Sequence, residues 1–118
     1  MPIIDAHLHL FTPSPQTTAM ASAVGHEATA EYLQSYYAAH DIAMGIVMSN
    51  HTLNPDAHTY PSCFRYCIGL DGPSSRCDAA AMRRLTEENL RRENCVGIKL
   101  YPGYNAVYIT DPCFDFVY

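Results

Sequence analysis

Lysine occurs once, as Lys99, and the seven Lys and Arg side chains are outnumbered by twelve Asp and Glu, for a formal net charge of −5. A nucleic-acid partner needs a basic patch or stripe to neutralise phosphates, and no such cluster is visible. No apolar run approaches the roughly 20 residues that span a bilayer. The N-terminus lacks a charged segment leading into an apolar stretch and a small-residue cleavage site, so no signal peptide is expected. C-x-x-C pairs are also missing. The five cysteines (Cys63, Cys67, Cys77, Cys95, Cys113) make an odd count, which suits free thiols in a reducing compartment better than a disulfide framework. The spacing of Cys63, Cys67 and Cys77 is poor for a zinc site, and most of these side chains are expected to pack as small hydrophobes. These absences predict a soluble, cytoplasmic protein with neither a nucleic-acid nor a membrane partner.

What is present is an alternation of apolar runs and helical patterns. With 118 residues and 48% hydrophobic side chains, one domain is expected over 1–118. Strand-like runs occupy 3–10, 42–48, 66–70 and 96–101, the second nearly continuous in apolar character as buried parallel strands tend to be. After the first run comes a polar loop containing TPSPQTT. In EATAEYLQSYYAAHD, Ala30, Leu33, Tyr37 and Ala38 recur at helical spacing. The stretch SNHTLNPDAHTYPSCF reads as a loop with one short helical turn. In CDAAAMRRLTEENLRREN, Asp78 is a candidate N-cap, Met82 and Leu85 supply an apolar stripe that Leu90 extends, and Glu87–Arg91 and Glu88–Arg92 are i,i+4 pairs. Asp111 followed by Pro112 predicts a last helix with Asp111 as its N-cap. Strands joined by helices give an α/β protein with a parallel sheet.

The chemistry concentrates in the opening stretch, MPIIDAHLHLF. Side chains of a strand alternate, so Ile3, Asp5, His7 and His9 are expected on one face and Ile4, Ala6, Leu8 and Leu10 on the other. Two neutral imidazoles leaving the C-terminal end of a parallel strand make a bite for a divalent metal, with zinc the default. Asp5 on the same face would orient a metal-bound imidazole. The plainer alternative is a pair of surface histidines near a strand end. In CVGIKLYPGY, Val96, Ile98 and Leu100 share one face and Gly97, Lys99 and Tyr101 the other, so the sole lysine points inward if the outer face packs on helices. A buried ammonium needs a carboxylate, a metal-linked carbamate or an anionic substrate. A structural ion pair with Asp5 serves as well. Asn50 and His51, after the second strand, and Tyr101 are candidates for a substrate pocket, or are simple turn and packing residues. His26, His40 and His58 receive no role.

IDAHLHLF together with VGIKLYPGY resembles the amidohydrolase-related family of metal-dependent TIM-barrel hydrolases, a group that includes aminocarboxymuconate semialdehyde decarboxylase. The order and spacing of the runs fit the first four βα units of a (β/α)8 barrel. The resemblance implies that His7 and His9 are metal ligands. It also implies a histidine ending the fifth strand, an acid/base histidine on the sixth and an aspartate ending the eighth, positions this sequence does not contain. Some relatives in the wider superfamily carry a carboxylated lysine on the fourth strand, where Lys99 lies. The implied chemistry is hydrolysis of amide, ester or lactone bonds of a small molecule, or non-oxidative decarboxylation.

A (β/α)8 barrel takes eight such units in roughly 250 residues. The expectation is therefore an N-terminal half that needs the remainder for activity, or a half-barrel that self-associates through bare strand edges. A phosphoesterase of the polymerase-and-histidinol-phosphatase type also starts with an aspartate and H-x-H, though GIKLYPGY does not belong to that pattern. A non-catalytic half-barrel that binds a ligand is the other alternative.

Overall fold

The structure, a computed structural model, describes residues 1–10, 13–49, 52–70, 78–105 and 108–118. It is an α/β arrangement whose four strands, β1 (Ile3–Leu8), β2 (Ile42–Met48), β3 (Phe64–Gly69) and β4 (Cys95–Lys99), form one parallel sheet in the order β1-β2-β3-β4. Contacts divide the chain into two compact units, Met1–Val47 with Tyr60–Arg65, and Met48–Thr59 with Tyr66–Tyr118. Among the described residues no helix is long and apolar enough to cross a membrane.

In the first unit, the stretch expected as a polar loop holds a helix, α1 (Pro15–Ala23). Ser14 caps it: its hydroxyl accepts from the Thr17 amide at 3.1 Å, its own amide donates to the Thr17 hydroxyl at 2.8 Å, and Pro15 occupies the first turn. No residue of α1 is buried, so no apolar stripe could reveal it. The next helix, α2 (Ala30–Ala39), starts at Thr29, whose hydroxyl accepts from the Tyr32 amide at 3.1 Å. Ala38, expected on its apolar stripe, is exposed, and Tyr37 is the buried residue of the helix.

Strand β1 ends at Leu8, two residues short of the expected run, and does not alternate simply. Ile3 pairs with Ile42 but Ile4 with Met44, and Asp5 pairs with Gly45 but Leu8 with Val47. The first shift puts Ile3 and Ile4 on one face, and each is 53% exposed. The second inserts an extra residue in β1 and puts Asp5 and Leu8 together on the other face, against α2. The expectation that Asp5 shares a face with His7 and His9 is therefore overturned, because alternation holds only while pairing register is kept.

Gly45 is the point where this face closes. A Cβ there would lie 2.7 Å from Leu8 Cδ2, 2.8 Å from Tyr37 Cε2 and 2.9 Å from Phe64 Cδ1. The Gly45 amide also donates to the Cys63 carbonyl at 3.0 Å. Absence of a side chain at Gly45 lets β1, α2 and the start of β3 meet in the first unit.

The second unit packs α3 (Ala79–Leu90) on β3 and β4. Asp78 caps α3 as expected, accepting from the Ala81 amide at 2.8 Å. Met82 is buried, Leu85 half-buried and Leu90 exposed. Tyr66, Ile68 and Leu70 are buried, and the Tyr66 hydroxyl donates to Asn89 Oδ1 at 2.8 Å. The Asn89 amide in turn donates to the carbonyls of Leu53 at 2.9 Å and Leu85 at 2.8 Å. Of the two expected ion pairs, Glu87–Arg91 forms and Glu88–Arg92 is replaced. Arg83 and Arg84 bind Glu87 and Glu88 at 2.8 and 2.6 Å, and Arg91 reaches Glu87 at 3.8 Å. Arg83 chiefly holds the Glu87 carboxyl below its ordinary range. Arg92 donates instead to the Pro55 carbonyl, at the short 3₁₀ turn Pro55–Ala57 that fulfils the expected helical turn. A backbone carbonyl within reach displaces a solvated carboxylate whose surface pair is worth little.

After β4 come the single turn α4 (Pro102–Asn105) and a 3₁₀ helix, Pro112–Val117. Asp111 does not cap the latter with its side chain. Its carboxylate turns back to accept from the Tyr108 amide at 3.0 Å.

Gly45→Ala is expected to destabilise the fold by about 1–3 kcal/mol, as overpacking of a closed contact does. Gly103→Ala, where nothing lies within 4 Å of the added methyl, should not. Urea denaturation of the two variants checks this.

Candidate metal centre

The C-terminal end of β1 is where the first unit gathers polar side chains. His7 is in the strand and His9 just past it. Leu8 faces α2, so His7, its neighbour in the strand, projects from the opposite face; His9 lies past the strand end, and both histidines are exposed. Their ring centroids are 5.3 Å apart at 72°. A zinc ion about 2.0–2.1 Å from one nitrogen of each ring, at a tetrahedral angle, holds two imidazole centroids roughly 5 Å apart. The centroid separation is close to that spacing, and the rings meet edge to face. Among the described residues, no three His, Cys, Asp or Glu side chains gather as a cation site.

Asp5 meets His7 through the backbone. Its Oδ1 accepts from the His7 amide at 3.2 Å, while its Oδ2 accepts from the Tyr37 hydroxyl at 2.6 Å. Tyr37 is 3% exposed. Burial, together with the hydrogen bond to the negative Asp5, pushes its hydroxyl pKa far above the ordinary value of 10.0, so it is a fixed proton donor. Sequence periodicity marks Tyr37 as a core residue of a helix, and its partnership with Asp5 was missed. The available signal was a carboxylate inside an apolar strand, which requires a donor from a neighbouring element. His9 also borders a cavity of about 170 Å³ shared with Thr17, Glu27, Thr29 and Leu33.

In the second unit, Lys99 pairs with Gly69 and Gly97 with Cys67. These four share the face away from α3, since Tyr66, whose hydroxyl binds Asn89, precedes Cys67 by one residue in β3. Lys99 is half-buried, and its Nζ lies 4.6 Å from the centroid of the Tyr101 ring, a cation–π contact. Tyr101 is 53% exposed and stacks on Tyr104 at 5.5 Å and 9°. Burial, with Cys95 nearby, pushes the Cys67 thiol pKa up, so this sulfur is held protonated. Asn50 and His51, the other candidates for the site, lie outside the described residues, as does Cys77.

The second unit also contains a histidine to which the sequence assigned nothing. His58 is 2% exposed. Its Nε2 donates to the Thr52 carbonyl at 2.8 Å, and its Nδ1 hydrogen-bonds the Ser49 hydroxyl at 3.3 Å. Its ring stacks on Tyr66 at 4.8 Å and 20°. Ser49 and His58 stand at the spacing of a nucleophile and base, but Ser49 is only 3% exposed, so the pair anchors the residues following β2. No periodic pattern surrounds His58, so the sequence carried no signal for this role.

Against known proteins, the chain matches no family model, no curated protein and no solved structure.

Tyr37→Phe is expected to cost about 1–3 kcal/mol at neutral pH, since it leaves a partly buried carboxylate without its charged-group hydrogen bond. In the wild type, stability held by the raised Tyr37 pKa is fully present below pH 10.0, the ordinary phenol value, and is lost as pH climbs above it, because the unfolded chain ionises first. The difference between the two proteins should accordingly narrow above pH 10.0. Denaturant titrations of both at pH 7 and above pH 10 measure it.

Proposed function

We propose that this chain forms part of a metal-dependent hydrolase of the amidohydrolase-related type, in which His7 and His9 hold a divalent cation, zinc by default. The observation that carries this reading is the pairing of two imidazoles at the C-terminal end of a parallel strand, the end where α/β proteins collect their active sites. The strand order supports it. Sheets wound in both directions reverse their order at a switch point, whereas this sheet runs sequentially from β1 to β4, as the first four units of a (β/α)8 barrel do. The resemblance of IDAHLHLF and VGIKLYPGY to that family supports it too.

The roles divide as follows. His7 and His9 present ring nitrogens, and Asp5, anchored by Tyr37, restrains the backbone of His7. A cation held there supplies Lewis acidity toward a carbonyl oxygen and a water nucleophile available at neutral pH. A catalytic zinc takes three protein ligands, so at least one more comes from outside the described residues. Hydrolysis of an amide, ester or lactone is the reaction class, with decarboxylation as its variant. The exposed Ile3 and Ile4 on the edge strand β1 favour a further protein surface against that edge, a second copy included. The four described cysteines are free, which supports a cytoplasmic location.

The test is metal content after purification and dialysis against zinc, compared with the double variant His7→Ala, His9→Ala. Bound zinc should fall at least tenfold, with unchanged circular dichroism. Retention of zinc by the double variant rules the site out.

A further inference from the structure

The cavity beside His9 is small, about 170 Å³, and its lining is chemically uneven. Leu10, Ala28 and Leu33 make it largely apolar. Two threonines line it, but both hydroxyls are committed to helix caps. Thr17 binds the amide and hydroxyl of Ser14, and Thr29 accepts from the Tyr32 amide. Among the described lining residues, Glu27 alone carries a formal charge at neutral pH. It follows α1 and precedes the cap of α2, so its backbone is held between two capped helices.

An apolar cleft of this kind selects for a short hydrocarbon body, and one carboxylate at its wall selects for a cation or a strong donor at the tip. Water occupies about 30 Å³ per molecule in the liquid, so the volume takes roughly five groups of that size. From these features we propose that the cavity is a subsite for a short alkylammonium group, with Glu27 as the residue that receives the charge. A carboxylate-bearing group is disfavoured at this position by repulsion from Glu27.

The subsite deepens the hydrolase reading and rests on it for the reaction alone. Water added across an amide gives a carboxylate and an amine, and the amine takes up a proton to become an ammonium ion. Of the two products, the ammonium half is the one that fits beside His9. Amides of short alkylamines are then the substrate class, in preference to lactones, which release no amine. Glu27 acts here as a specificity-determining residue.

The test needs neither metal nor turnover. Isotopically labelled, metal-free protein at low ionic strength is titrated with n-butylammonium, n-butanol and butyrate, and binding is read from NMR shifts of His9, Glu27 and Leu33. Butylammonium should bind about tenfold tighter than butanol, a difference of about 1.4 kcal/mol, and butyrate more weakly than either. Glu27→Gln, an exposed and nearly isosteric change, should bring butylammonium and butanol within about twofold of each other. Equal binding of all three probes, an unchanged preference in Glu27→Gln, or no shift at His9 and Leu33 overturns the subsite. Loss of zinc-binding in the histidine double variant is a separate measurement, so failure of one reading is distinguishable from failure of the other.

Discussion

The hydrogen bond from Tyr37 to Asp5 is the interaction on which the first unit turns. A half-buried carboxylate in a strand has to find a donor, and Asp5 of β1 finds it on α2 at 2.6 Å. Reaching that donor requires Asp5 to face the helix. Facing the helix requires the strand to abandon regular pairing on both sides of Asp5, with one shift before it and one after. The same face must then hold Leu8 and Tyr37 close against β2, which is possible because position 45 has no side chain. Carboxylate, phenol, two register shifts and a glycine form one arrangement, and changing any one of them strains the others.

Much of the secondary structure was legible because it rests on local patterns. β2 matches the expected run to the residue, and α3 begins at the expected cap, Asp78. Both are cases where an apolar run or a capping carboxylate acts on its own neighbourhood. α1 escaped because nothing in it is buried, leaving the Ser14–Pro15–Thr17 signal as its sole mark. Glu88 and Arg92 stand at ideal spacing yet part company, because Arg84 and the Pro55 carbonyl are better placed. Surface ion pairs differ by too little energy for spacing to choose among them.

At the candidate site, strict alternation misplaced one residue. His7 and His9 stand out by their spacing, and their rings meet edge to face. Asp5 was read onto their face by strict alternation, which the pairing of Leu8 with Val47 breaks. A bulge is a property of two strands together, and no single run of residues reports it. His58 was invisible for a related reason. Its partners Ser49 and Thr52 lie nine and six residues away along the chain, and no sequence period links them.

The extra residue in β1 also decides what the histidines can do. With the register that pairs Asp5 with Gly45 carried onward unchanged, His7 would fall opposite Val47, on the face where Tyr37 and Phe64 close over Gly45. Its imidazole would then be packed among aromatic side chains, and Leu8 would be turned outward. The inserted residue exchanges them. Leu8 takes the packed position, and the His7 imidazole turns outward, 5.3 Å from the ring of His9. Bulges recur beside active sites because they re-aim a side chain without changing the path of the sheet. Here the carboxylate that forces the strand out of register is the group that binds the amide of His7. The placing of Asp5 against α2 follows the first shift and the outward turn of His7 the second, so an exposed imidazole on one face and a buried phenol on the other depend on the same irregular strand.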